Sequence, residues 1–154
     1  MNFYEGKLSA KGLSIGIVIS KFNSFIGDKL LDGANNAFVQ LDGDVDISVY
    51  KVPGSYEIAG VAKRLLQSGK FDAIICLGVI IRGQTPHFEF VAGNSAKAIM
   101  ELSADGKIPV IYGIITADDL EQAIDRAGTK AGNKGYDAMM SAVEMASLYK
   151  QIGK

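Results

Sequence analysis

The chain has 154 residues, with 16 Lys and Arg against 17 Asp and Glu, a formal net charge of -1 and a sequence pI near 5.8. That length suits one domain around one core, and that balance gives no general electrostatic footprint for nucleic acid or an anionic membrane. At 48% hydrophobic and 21% charged residues, with a mean hydropathy of +0.17, the chain is far from the disordered range, and its excess of apolar residues points to an interface. One Cys and one His exclude an internal disulfide and a Cys/His zinc site, so no metal is expected. The N-terminal region has no basic stretch leading into a sustained apolar run, and no segment approaches the ~18 uninterrupted apolar residues of a membrane span. A cytoplasmic protein is expected.

Residues 2–8 allow a short strand ahead of the core. Residues 13–20 (LSIGIVIS) are apolar and β-branched on successive positions, the pattern of a strand buried on both faces. Leu30, Ala34, Ala37, Phe38 and Leu41 then fall on one helical face. Residues 46–52 (DISVYKV) read as a weaker, partly alternating strand, followed by a second helical face at Ile58, Val61, Ala62, Leu65 and Leu66. Residues 73–81 (AIICLGVII) and 110–115 (VIYGII) are further buried strands, with a helix expected over 88–102 between them. Helices are also expected over 118–126, with Thr116 and Asp119 as a start signal, and over 135–152. Strands alternating with helices predict parallel βαβ crossovers and a three-layer α/β/α sandwich around a four-stranded parallel sheet.

In open α/β sheets ligands bind beyond the carboxyl ends of the strands, which directs attention to four loops. His87 follows the third strand in a loop punctuated by Gly and Pro, and histidine is the side chain that changes charge near neutrality. It is the leading acid/base candidate, with a surface or helix-capping role as the alternative. Phe22 and Tyr56 sit in strand-end loops where they can stack on a flat heterocycle or staple the core. Glu57 can read a ligand N–H or serve as a first-turn carboxylate, and the sequence favours the latter. Gln84 and Thr85 precede a helix start, and Arg126 with Lys130 and Lys134 forms a basic cluster around the Gly-rich run GTKAGNKG; together they suggest a phosphate site. A cation before Gly is also an ordinary helix stop. The run has neither the spacing nor the strand-to-helix context of a phosphate-binding loop or a dinucleotide fingerprint. Cys76, amid Ile and Leu, reads as a core thiol.

These loops resemble one family. KFN from Lys21, VPGSYEI from Val52, GVIIRGQTPHFEFV from Gly78 and LEQAIDRAGTKAGNKG from Leu120 are similar to the 6,7-dimethyl-8-ribityllumazine synthases of riboflavin biosynthesis. The resemblance runs from Tyr4 to the last helix, with Lys21 where Arg is usual and Ala59 where Pro is usual. It implies a single flavodoxin-like domain over 1–154, with a short N-terminal strand. It further implies a transferase that condenses 5-amino-6-(D-ribitylamino)uracil with 3,4-dihydroxy-2-butanone 4-phosphate, without cofactor. By resemblance, Phe22 stacks on the pyrimidine, Ser55, Tyr56 and Glu57 engage the uracil and ribityl side, and Val79, Ile80 and Ile81 extend that wall through their backbone. Gln84, Thr85 and Arg126 hold the phosphate, His87 transfers protons, Tyr112 arrives from a neighbouring subunit, and Lys134 contributes further. The expected assembly is a pentamer; the short GTKAGNKG connection favours a sixty-subunit icosahedral shell, with riboflavin synthase as a possible partner. The alternative is a non-catalytic flavin- or lumazine-binding or shell-forming protein of the same fold.

Overall fold

The computed structural model describes residues 1–45 and 47–153. Asp46, expected to open the second strand, and Lys154, the last residue of the expected domain, lie outside the described residues. The two most apolar runs become the centre of the sheet: β1 (Ile15–Ser20) is buried throughout, and β3 (Ala73–Ile81) is buried at every position but Ile81. β2 (Ser48–Val52) and β4 (Val110–Ala117) flank them in the order β2-β1-β3-β4, all parallel. That is the flavodoxin-like doubly wound order. The weaker pattern of β2 matches its place at an edge, where only Val52 is buried.

Alternation along the strands separates two cores. Ile15, Ile17 and Ile19 of β1 and Ile75, Leu77 and Val79 of β3 face α1 (Ser24–Gln40), α4 (Leu120–Asp125) and α5 (Lys134–Ile152). Val18 of β1 with Ile74, Cys76 and Ile80 of β3 face α2 (Ile58–Ser68) and α3 (His87–Asp105). On the first face the helices approach closely. A Cβ at Gly113 would lie 2.7 Å from Leu77 Cδ2 and 3.0 Å from Ala138 Cβ, and one at Gly135 would overlap the Leu30 carbonyl. Any larger residue there forces α5 away from the sheet or from α1.

The structure corrects three local expectations. β4 continues through Thr116 and Ala117, which pair with Ile80 and Ile81, so Thr116 belongs to the ladder and caps nothing. Asp119 is itself the cap of α4, its carboxylate accepting from Gln122 N–H at 2.8 Å. The N-terminal segment expected as a strand has no ladder partner among the described residues, because it runs along α5 instead of a sheet edge. There Lys7 N–H donates to Ser147 Oγ at 3.0 Å and Gln151 Nε2 donates to the Glu5 carbonyl at 2.8 Å.

Candidate active site

The chain leaves β1 outward to β2 and then returns to place β3 on the other side of β1, so the loops after β1 and β3 diverge. A crevice opens at such a point, outside the carboxyl ends of the strands. Here it is a cleft of about 570 Å³ whose wall includes Phe22 and Asn23, Gly54 to Glu57, Val79 to Ile81, and Gly83, Thr85 and His87. The first turns of α3 add Phe88, Phe90 and Val91.

Each side chain has a local cause for its position. Asn23 takes a left-handed conformation, φ 56 and ψ 39, which Asn tolerates better than most residues. Its Nδ2 donates to the Val79 carbonyl at 3.0 Å, tying the β1 loop to β3. Phe22 N–H donates to the Pro53 carbonyl at 3.2 Å, so the ring stands out into the cleft with 71% of its surface exposed. Tyr56 is also exposed, at 64%, from the 3-10 turn Ser55–Glu57 that precedes α2. Two exposed aromatics on the neighbouring loops after β1 and β2 are free to meet a planar ring and carry little of the fold.

Ser55 is buried beneath them, its hydroxyl 3.4 Å from that of Ser20, and both occupy space that a Cβ at Gly78 would fill. Glu57 takes the first-turn role weighed for it, its Oε2 accepting from Gly54 N–H at 2.9 Å, and the residue also lies on the cleft wall. His87 opens α3 directly after Pro86, and its N–H donates to Thr85 Oγ1 at 3.4 Å. Phe90 and Val91, three and four residues on, share its helical face and line the same cleft. That spacing was available in the sequence and would have found them; Asn23, by contrast, declares itself only through its backbone conformation.

Gln84 lies exposed in the same loop as Thr85 but off the wall. Tyr112, Arg126 and Lys134 do not line the cleft in this chain. Tyr112 pairs with Cys76 in the ladder on the outer strand β4; burial pushes its phenol up, and the neighbouring Ser95 hydroxyl opposes that. Arg126 ends α4, whose Ala123 packs into the α1/α5 core, on the opposite side of the sheet from α3, which borders the cleft. Lys134 N–H donates to the Arg126 carbonyl at 2.9 Å, which ties the two backbones together. Cys76 is buried in mid-strand, and burial pushes its thiol up to about 12, as befits a core group. Among the described residues no three of His, Cys, Asp and Glu converge as a metal-ligand group, and no helix is long and apolar enough to cross a membrane.

The sequence model of the 6,7-dimethyl-8-ribityllumazine synthase family matches residues 12–150. A curated relative from Chlorobaculum parvum, named 6,7-dimethyl-8-ribityllumazine synthase, is 51% identical over 150 residues, covering 97% of this chain and 96% of that protein. With that extent of match, and a cleft whose walls are the matching motifs, the chain belongs to the 6,7-dimethyl-8-ribityllumazine synthase family of transferases in riboflavin biosynthesis.

Proposed function

We propose that residues 1–154 act as one domain whose cleft condenses 5-amino-6-(D-ribitylamino)uracil with 3,4-dihydroxy-2-butanone 4-phosphate to 6,7-dimethyl-8-ribityllumazine, phosphate and water. The observation that carries this is the convergence of Phe22, the Ser55–Glu57 turn and the Thr85/His87 loop on one crevice. The reaction asks for three things: a platform for a pyrimidine, a hold on a phosphate, and proton transfer during imine formation, phosphate loss and ring closure.

Phe22 supplies the platform. Ser55, Tyr56 and Glu57 read the uracil and ribityl groups, and the backbone of Val79, Ile80 and Ile81 completes that wall. Thr85, with Gln84 in the same loop, presents hydroxyl and amide donors to the phosphate. His87, exposed at the start of α3, gives and takes the protons. Tyr112, Arg126 and Lys134 lie off the cleft of their own chain, which supports their delivery from an adjacent copy. The complete site then lies between subunits, Arg126 and Lys134 joining Thr85 around the phosphate and Tyr112 closing the pocket.

An assembly of this kind also accounts for the exposed apolar side chains Phe25, Val39, Phe90, Met100 and Leu120. A pentamer is the proposed unit, with an icosahedral shell as its higher form and a cytoplasmic location; riboflavin synthase is the proposed partner enzyme. The test is incubation with both substrates, followed by lumazine absorbance and by mass measurement of the assembly. His87→Ala is expected to lower kcat roughly 100-fold or more with a smaller change in KM. Arg126→Ala is expected to raise KM chiefly for the phosphorylated substrate. Wild-type behaviour of both variants refutes the assignment of roles, and sedimentation as pentamers alone across pH and phosphate concentration refutes the shell.

A further inference from the structure

We infer that Arg82 is a positioning residue that sets the direction of His87 by clamping the first turn of α3 to the end of β4. The inference rests on the proton-transfer role proposed for His87. Arg82 is the first residue beyond β3, and its N–H donates to the Ala117 carbonyl at 2.9 Å, so its own backbone is held by the ladder. From that fixed root the guanidinium reaches in two directions. Its Nε donates to Asp118 Oδ1 at 2.9 Å, immediately after β4, and its Nη1 pairs with the Glu89 carboxylate in the first turn of α3. Its plane lies over the Phe88 ring, 4.3 Å from the centroid.

Two partners of Arg82, Phe88 and Glu89, directly follow the residue that matters. Glu89 is two positions after His87, about 200° round the helix, so a hold on Glu89 turns His87 toward the opposite side. That side is the one where Phe90 and Val91 line the cleft. Between Arg82 and α3 the chain passes through the exposed residues Gly83 to Pro86, where the side-chain bond from His87 N–H to Thr85 Oγ1 is 3.4 Å long. Little else fastens this loop. The planar fork of arginine reaches two carboxylates in different directions, which a lysine ammonium on its flexible stem cannot reproduce. An exposed ion pair contributes little to stability. The consequence of this clamp is therefore expected in catalysis, where a small misplacement of the acid/base group is amplified.

The experiment measures steady-state kinetics of the full chain with both substrates for Arg82→Gln, Arg82→Lys, and Arg82→Gln combined with His87→Ala. Arg82→Gln is expected to lower kcat roughly tenfold with each KM within about twofold. Arg82→Lys is expected to recover part of the loss. In the His87→Ala background, Arg82→Gln is expected to have no further effect, because the clamp acts only through that ring. An unchanged kcat for Arg82→Gln, or the same fold loss with and without His87, overturns the clamp. Wild-type turnover of His87→Ala overturns the underlying assignment instead, and so separates the two failures. Should Arg82→Gln fail to fold, Glu89→Gln removes one arm alone; a roughly threefold loss of kcat that vanishes without His87 supports the clamp, and no loss overturns it.

Discussion

The two faces of the sheet are built differently. On one, α1 and α5 press so closely that Gly113 and Gly135 leave no room for a methyl group, and seven α1 residues and six α5 residues are buried. On the other, α3 has 19 residues but only Ser95 and Ile99 are buried, and its first turns border a cleft. The contrast teaches that stability and chemistry are divided between faces: one is packed to specify the fold, the other leaves side chains free to meet a ligand.

Glycine substitutions test the division most sharply. Gly135→Ala places a methyl against the Leu30 backbone, which cannot move without parting α1 from α5. The expected destabilisation is about 3 kcal/mol, read by urea denaturation. Gly93→Ala on α3 meets nothing within 4 Å and gains helix propensity, for an expected stabilisation of about 0.5 to 1 kcal/mol. A loss there instead marks the outer side of α3 as covered in the assembly.

A second test uses Cys76, whose thiol is pushed from 9.0 to about 12 by burial. Because the folded chain holds that proton more tightly than the unfolded one, this contribution is fully present below pH 9 and is lost as pH rises toward 12. Stability is expected to fall by up to ~1.4 kcal/mol per pH unit in that window, and Cys76→Ser removes this slope. The smallest effect on stability is expected at Phe22, whose exposed ring carries little packing. Phe22→Ala is expected to weaken binding of the pyrimidine substrate by about 0.5 to 1.5 kcal/mol, a several-fold rise in its KM. Its urea midpoint is expected to stay where it was.

The four strands and the five helices were legible because each buried strand is a β-branched run and each long helix repeats its apolar positions. Strand ends then pointed to Phe22, Tyr56, Thr85 and His87, all of which line the cleft. What escaped has a physical pattern. Arg126 and Lys134 sit in a matching motif, but a motif does not record where the fold carries its residues, and both lie off the cleft of their own chain. The Arg82 clamp joins residues 36 apart, Arg82 to Asp118, and no local period marks such a pair. Thr116 misled because a threonine three residues before an acid reads as a cap, although the same β-branched side chain also extends a strand.

Asn133 closes the excursion between α4 and α5. Its Nδ2 donates to the carbonyls of Lys29 and Ala127, at 2.9 and 3.1 Å, while its Oδ1 accepts from Gly135 and Tyr136 N–H at 2.8 and 3.1 Å. Ala127 and Asn133 are bridged directly, so the exposed stretch from 128 to 132 hangs from a fastened neck. Within one chain, residues inserted between Thr129 and Ala131 lengthen an exposed turn, at a closure cost of about 0.6 kcal/mol per doubling. A peptide tag placed there is expected to leave the neck of its own chain, and with it the backbone at Arg126 and Lys134, in register, so that a change in assembly rather than in fold is what such an extension would report.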